Sequence, residues 1–257
     1  MSSFTPDSPL VTEVVPSPNH GERRQVRAPD MLILHYTGMP DSQAALQRLC
    51  EAAAQVSAHY FVFEDGRIVQ CVAESRRAWH AGLARWGTAT DINSHSIGIE
   101  IANPGHCYGY PDFPPQQIAA VIALCRDILA RHAVPPHHVL AHSDVAPARK
   151  EDPGEKFPWP ALHAAGIGLW VAPAPLDLPG SAIKPGEAGP TVERLQAALR
   201  RYGYGLEPTA TYDAQTAAVV KAFQRHFRPA RVDGTADPST RRTLADLLAA
   251  RGLDSEV

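Results

Sequence analysis

The chain has little that would take it to nucleic acid, through a bilayer or into a disulfide-stapled scaffold. Lys and Arg number 24 against 27 Asp and Glu, for a formal charge of -3. Without a basic field, nucleic acid and anionic membranes are excluded as partners. No apolar run approaches the roughly 18 to 20 residues that a transmembrane segment needs. The opening MSSFTPDSPL has neither the basic start nor the apolar centre of a secretory signal, which points to a chain made without a leader or relieved of one. The four cysteines, Cys50, Cys71, Cys107 and Cys125, form no CxxC pair, and their wide spacing fits neither a zinc ribbon nor a small disulfide scaffold. Buried free thiols are the expectation, with a single disulfide as the alternative.

What is present is enough apolar material, 44% of 257 residues, for one large domain or a medium domain beside a small one. The stretch WVAPAPLDLPGSAIKPGEAGP, dense in proline and glycine, breaks all periodicity and reads as a linker. The resulting division is an N-terminal extension (1–19), a mixed α/β unit (20–170), a Pro-rich linker (171–184), a helical unit (185–250) and a short tail (251–257). In the larger unit, MLIL and the alternating SIGIEIA are strand candidates, and Asp65-Gly66 sits where a hairpin would turn. Asp41 opens one helix candidate, PPQQIAAVIALCRDILARH is another, and HVLAH is a short strand. After the linker, three helix candidates bury Val192, Leu195 and Leu199, then Val219, Val220, Phe223 and Phe227, then Leu244 and Leu248. Asp237 serves as N-cap of the third.

The densest polar chemistry is HSDVAPARKED, residues 142–152. Catalytic zinc needs few protein ligands on rigid elements and an open position for water. His35 and His142 both stand where an apolar strand runs out. A lone histidine there is as readily structural, so the pair gains weight only from a third ligand, for which Asp152 in an Asp-Pro-Gly turn is the candidate. In SIGIEIA, Ile97, Ile99 and Ile101 share one face, which leaves Gly98 and Glu100 on the other, the glycine making room beside the carboxylate. Glu100 is then either a solvent-facing residue of an edge strand or a group that moves a proton from water to a departing amine. Lys150 would oppose the charge of an oxyanion.

The segments LHYTG, SAHYFVFEDGRI, AWHAG, SIGIEIAN and HSDVAPARKEDPGEKFPW together resemble the zinc-dependent type 2 N-acetylmuramoyl-L-alanine amidases, a family that includes peptidoglycan recognition proteins. The likeness spans about residues 20–170. It implies an α/β fold with a mixed central β-sheet flanked by helices, Zn2+ held by His35, His142 and Asp152, Glu100 as acid/base and Lys150 as transition-state stabiliser. The bond it implies is the amide between N-acetylmuramic acid, in its ordinary or 1,6-anhydro form, and L-alanine. The turn between Val62 and Ile68 is short for the family, which bears on the shape of the groove.

His80 and Trp79 are candidates to line that groove and contact substrate, or to pack. Asp144 is expected in turn or outer-shell hydrogen bonds, and His59 in a structural role. His132, His137 and His138 are expected at a helix end and in a solvated loop, and Trp86 and Trp159 in the core. The segments GPTVERLQAALRRYGY, TYDAQTAAVVKAFQRHF and RVDGTADPSTRRTLADLL, with their paired Leu-Gln and Phe-Gln steps and Asp-Gly turn, resemble over about residues 185–250 the three-helix peptidoglycan-binding domain of cell-wall hydrolases, the alternative being an appendage that stabilises the enzyme or pairs two chains. Two other readings of the whole stay open: a recognition protein that holds muropeptides uncut, and a zinc peptidase acting within the stem peptide. A wall polymer as partner places the protein in the periplasm or envelope, whereas the missing leader would place it in the cytoplasm.

Overall fold

The computed structural model of the protein describes residues 4–257. Eight strands are β1 (Glu13–Val14), β2 (His20–Glu22), β3 (Met31–Tyr36), β4 (Tyr60–Val62), β5 (Ile68–Gln70), β6 (Arg76–Ala78), β7 (Ser96–Ile101) and β8 (Val139–Ala141). Six of them form one sheet in the order β1-β5-β4-β7-β3-β8, while β2 and β6 pair as a separate ribbon. Strands β4, β7, β3 and β8 run parallel, and β5 is antiparallel to β4. The sheet is therefore mixed, as the family resemblance implied. The segment set apart as an N-terminal extension is tied into it: β1 pairs with β5, and the Ser17 hydroxyl donates to the Leu49 carbonyl.

The helices are α1 (Ser42–Cys50), α2 (Ile92–His95), α3 (Pro115–Arg131), α4 (His142–Val145), α5 (Trp159–Ala164), α6 (Pro190–Tyr202), α7 (Ala214–Phe227) and α8 (Pro238–Ala250). Their starts follow the local chemistry. Asp41, Asp213 and Asp237 each accept a hydrogen bond from the backbone N–H three residues on, and proline occupies the first turn of α3 and α8. No helix of the described residues is long and apolar enough to cross a membrane. Cys71 and Cys125 are buried free thiols, but Cys50 is half-buried and Cys107 is exposed, a departure from the expectation for all four.

The two faces of the sheet bury against different partners. Leu32, Leu34, Ile97 and Ile99 pack with Val121, Leu124 and Ile128 of α3. Met31, Ile33 and Leu140, on the opposite face, share a core with Leu195, Leu199, Tyr202, Phe223 and Phe227 of α6 and α7. The C-terminal helices thus complete the packing of the sheet. Residues 170–190 run along them: Ala174 N–H donates to Thr243, and Ile183 bridges to Ala236. Within the helical unit two buried glutamines do matching work. Gln196 accepts from the N–H groups of Thr209 and Ala210, and Gln224 from those of Asp233 and Gly234, each clamping the loop after its helix. The repeated Leu-Gln and Phe-Gln segments owe their likeness to this shared task.

One ion pair, its carboxylate buried and its arginine partly exposed, ties α3 to the sheet. Glu74 accepts from the Tyr60 hydroxyl at 2.6 Å, from Arg131 at 2.5 Å and from His132 Nε2 at 2.6 Å. His132 therefore belongs to a partly buried network as well as to a helix end. Burial alone would raise the Glu74 carboxyl, but the bonds from His132, Arg131 and Tyr60 outweigh it and bring it from 4.5 down to about 2. Because the folded value is depressed, the stability it confers is present above the unfolded value and lost as pH falls from about 4.5 through 2. Glu74→Gln is expected to destabilise the fold at neutral pH by less than the roughly 3 to 5 kcal/mol of a fully buried pair, because Arg131 is partly exposed, and to flatten that acid limb. Urea unfolding of both proteins at several pH values measures it, and parallel stability curves would contradict the assignment.

Candidate metal centre

The site forms at the carboxyl ends of the parallel strands, where loops leave an open rim. His35 is the penultimate residue of β3 and lies in register with Glu100 of β7. The two side chains therefore share the sheet face that also carries Ile33 and Gly98. Strand β8 ends at Ala141, so His142 is the first residue of α4 and not a strand residue. Asp152 returns to it through the loop, its carbonyl accepting from the Ser143 N–H at 3.0 Å. The turn after it is fixed by the Tyr110 hydroxyl, which donates to the Pro153 carbonyl at 2.7 Å.

These residues bring three coordinating atoms together. His35 Nδ1 lies 2.9 Å from His142 Nδ1, and Asp152 Oδ2 lies 3.1 and 3.0 Å from the two. All three residues are buried. The surrounding hydrogen bonds decide which nitrogens carry protons. The Ser96 hydroxyl donates to the Ile92 carbonyl at 2.6 Å, so it accepts from His80 Nε2 at 3.0 Å. His80 Nδ1 is then an acceptor, and takes the His35 Nε2 proton at 3.0 Å. That leaves His35 Nδ1 bare. His142 Nε2 donates to the Ala81 carbonyl at 3.1 Å, so its Nδ1 is bare as well. Two lone pairs and a carboxylate oxygen about one hydrogen-bond length apart repel one another, and a cation is what reconciles them. The donor set fits a divalent metal.

Charge at the site follows from burial and from these neighbours. Burial, then the proximity of His142, lowers His35 to about 4, so the ring is neutral and free to coordinate at pH 7. Burial opposes ionisation of Asp152, but the two imidazoles hold its carboxyl far below the usual range. Glu100 goes the other way: burial, then the Asp152 charge, push it well above the ordinary carboxylate value, with Lys150 opposing. Glu100 Oε2 is buried with no hydrogen-bond partner. An orphaned oxygen of this kind beside a candidate metal triad is the mark of a reactive group.

A cavity of about 510 Å³ opens over the site, lined by Tyr36, Trp79, His80, Glu100, Lys150 and Asp152, with Arg48 and Leu49 of α1 further out. All five principal residues read from the sequence therefore meet in one place, and Trp79 stands at its wall. His80 lines the cavity and is largely buried, only 9% exposed, and its ring also holds His35. Gly98 makes room for His80 and not for the carboxylate, since a Cβ there would come within 2.5 Å of the imidazole. His59 is structural, accepting from the Gly98 N–H at 3.0 Å. The hairpin turn between Val62 and Ile68 bears on α3 instead of the groove: Gly66, at φ +87°, faces the Gln116 carbonyl and the Ala120 side chain. Ser96 and the Ala81 carbonyl, which set the tautomers, lie within SIGIEIAN and AWHAG, but a hydroxyl and a main-chain carbonyl carry no sequence signal of that role.

The chain is similar to known proteins. The N-acetylmuramoyl-L-alanine amidase family model matches residues 25–155, and a peptidoglycan-binding domain model matches residues 188–244. The N-acetylmuramoyl-L-alanine amidase AmiD of Escherichia coli (strain K12) is 39% identical over 248 residues, 90% of this chain and 88% of that protein. The structure of E. coli AmiD in complex with the substrate anhydro-N-acetylmuramic acid-L-Ala-D-gamma-Glu-L-Lys aligns with a TM-score of 0.75, covering 90% of this chain and 95% of that one. AmpDh3 of Pseudomonas aeruginosa, 32% identical, aligns with a TM-score of 0.74 over 98% of this chain and all of its own. The 1,6-anhydro-N-acetylmuramyl-L-alanine amidase AmpD of Salmonella typhimurium (strain LT2) is 33% identical over 178 residues, 62% of this chain and 93% of that protein. With the fold, the His-His-Asp cluster and these likenesses in agreement, the chain belongs to the type 2 N-acetylmuramoyl-L-alanine amidase family and carries a peptidoglycan-binding domain at its C-terminal end.

Proposed function

We propose that this protein is a zinc amidase that hydrolyses the bond between N-acetylmuramic acid, including its 1,6-anhydro form, and L-alanine in peptidoglycan and muropeptides, acting in the periplasm or envelope where that polymer lies. The observation that carries the reading is the pairing of two bare imidazole nitrogens and Asp152 Oδ2 with the unpartnered Glu100 carboxyl in one cavity. Two imidazoles and a carboxylate are a donor set of catalytic zinc. His35, His142 and Asp152 would hold the zinc, which would supply Lewis acidity at the site.

The chain's own groups do the rest. Glu100 takes a proton from the attacking water and delivers it to the L-alanine nitrogen as the C–N bond breaks. Its raised affinity for the proton suits it to carry one between the two steps. Lys150, lining the same cavity, sets its charge against that of the carbonyl oxygen as the carbon becomes tetrahedral. His80 and the Ala81 carbonyl keep the two imidazoles aimed at the metal position. Trp79 offers an aromatic wall for substrate.

Incubation with a purified anhydro-muropeptide, with and without chelator, tests reaction, bond and metal together. Free stem peptide beginning with L-alanine is expected, abolished by chelation and restored by zinc. A fragment cut inside the stem would favour a peptidase, and intact muropeptide retained on the protein would favour a recognition protein.

A further inference from the structure

Asp144 lies two residues beyond His142 and is completely buried. Its Oδ2 accepts from the Ala141 N–H at 2.8 Å and from His226 Nδ1 at 2.7 Å, and its Oδ1 accepts from the Tyr204 hydroxyl at 2.8 Å. Two of the three donors thus come from the C-terminal unit, and the third is the backbone immediately before a metal-site histidine. The His226 ring is itself held by stacking on Trp159 at 3.7 Å and on Phe227 at 3.8 Å. The next residue back along α7, Arg225, reaches the other arm of the same loop. It donates to Glu151 at 2.7 Å, and Glu151 stands between Lys150 and Asp152.

Consecutive residues of one helix therefore grip both ends of the 142–152 loop. The burial of α7 matches that duty: every residue from Ala222 to Arg228 is buried, polar ones included. A helix packed only on its own bundle would expose one side. Trp86, beside the loop, packs edge-on against Tyr202 and Tyr204 at 5.7 and 5.0 Å. A module linked merely to raise local substrate concentration would have no use for buried hydrogen bonds into the metal-site loop.

We propose that the C-terminal unit is a positioning element of the metal centre as well as a wall-binding one. Tyr204 and His226 act on His142 through Asp144, and Arg225 acts on Lys150 and Asp152 through Glu151. The proposal rests on the zinc amidase reading above. Its test uses the full chain and a soluble anhydro-muropeptide, so that attachment to polymer plays no part. Tyr204→Phe/His226→Phe keeps the rings and their stacking but removes both donors. Zinc affinity by chelator competition is expected to weaken by up to about 10-fold, the low end of what losing a direct outer partner of a ligand costs, because Asp144 stands between these donors and the backbone before His142. The visible spectrum of the cobalt(II)-loaded protein should shift, and kcat should fall with KM nearly constant. His226→Asn, which returns an N–H donor close to the position of Nδ1, should recover most of the loss when paired with native Tyr204. Glu151→Gln, a change at an exposed residue that spares the fold, should lower kcat in the same direction by less. Unchanged zinc affinity, cobalt spectrum and soluble-substrate kcat in these variants would overturn the proposal, whether or not the melting temperature or sacculus binding falls. Zinc affinity is readable even if the parent cleaves no muropeptide, so the two readings fail separately.

Discussion

Glu100→Gln is expected to bind zinc as the parent does and to lose hydrolysis by about 10²- to 10⁴-fold, the contribution of a positioned acid/base. The geometry separates the two properties. Glu100 shares the β7–β3 register position with His35 but stands outside the group of His35, His142 and Asp152 whose coordinating atoms converge. An amide in its place keeps the shape of the side chain and can hydrogen-bond, yet cannot take a proton from water. Muropeptide turnover followed by mass, together with zinc content of the same sample, reads both quantities. Full activity in the variant would remove Glu100 from the chemistry, and loss of zinc would move it into the ligand set.

Asp152→Ala is expected to do the opposite in its first effect, releasing the metal, and to lose activity as a consequence. Asp152 Oδ2 touches both bare imidazole nitrogens and supplies the one negative charge among the three donors. Removing a ligand outright should cost zinc affinity by more than the 10- to 100-fold of an outer partner. A metal that binds only the folded state raises its stability in proportion to the logarithm of concentration over Kd. The parent's melting temperature should therefore rise on zinc addition, and that of the variant should not. An equal rise in both proteins would contradict Asp152 as a ligand.

The parts of this arrangement that were legible in the sequence are those whose causes are local. Alternation in SIGIEIA placed Glu100 on the face opposite its isoleucines, Asp65-Gly66 turned a hairpin, and Asp41 and Asp237 capped helices, because each depends on neighbours within a few residues. The five principal site residues were legible through motif spacing and a family likeness, not through periodicity. The strand β1 was not, since two residues are too few to show a period. The partners of Asp144 were not either. Tyr204 and His226 lie 60 and 82 residues away from it, and nothing in the intervening chain marks the encounter. In AFQRHFR the buried set read from spacing was Phe223 and Phe227, and the spacing does not show that Gln224, Arg225 and His226 between them are buried too. His80 lines the cavity beside Trp79, but its bond to His35 was not legible, because the path from Ser96 through His80 ends on a residue 45 positions away.

Gly98 gives this path an unusual point of failure. The space above its α-carbon is occupied by an imidazole, so a single methyl group there would push His80 aside, free the far nitrogen of His35 and let that ring rotate or exchange its proton. The centre's chemistry is thus specified in part by an atom the chain omits, and a mutational survey confined to polar residues would pass over it.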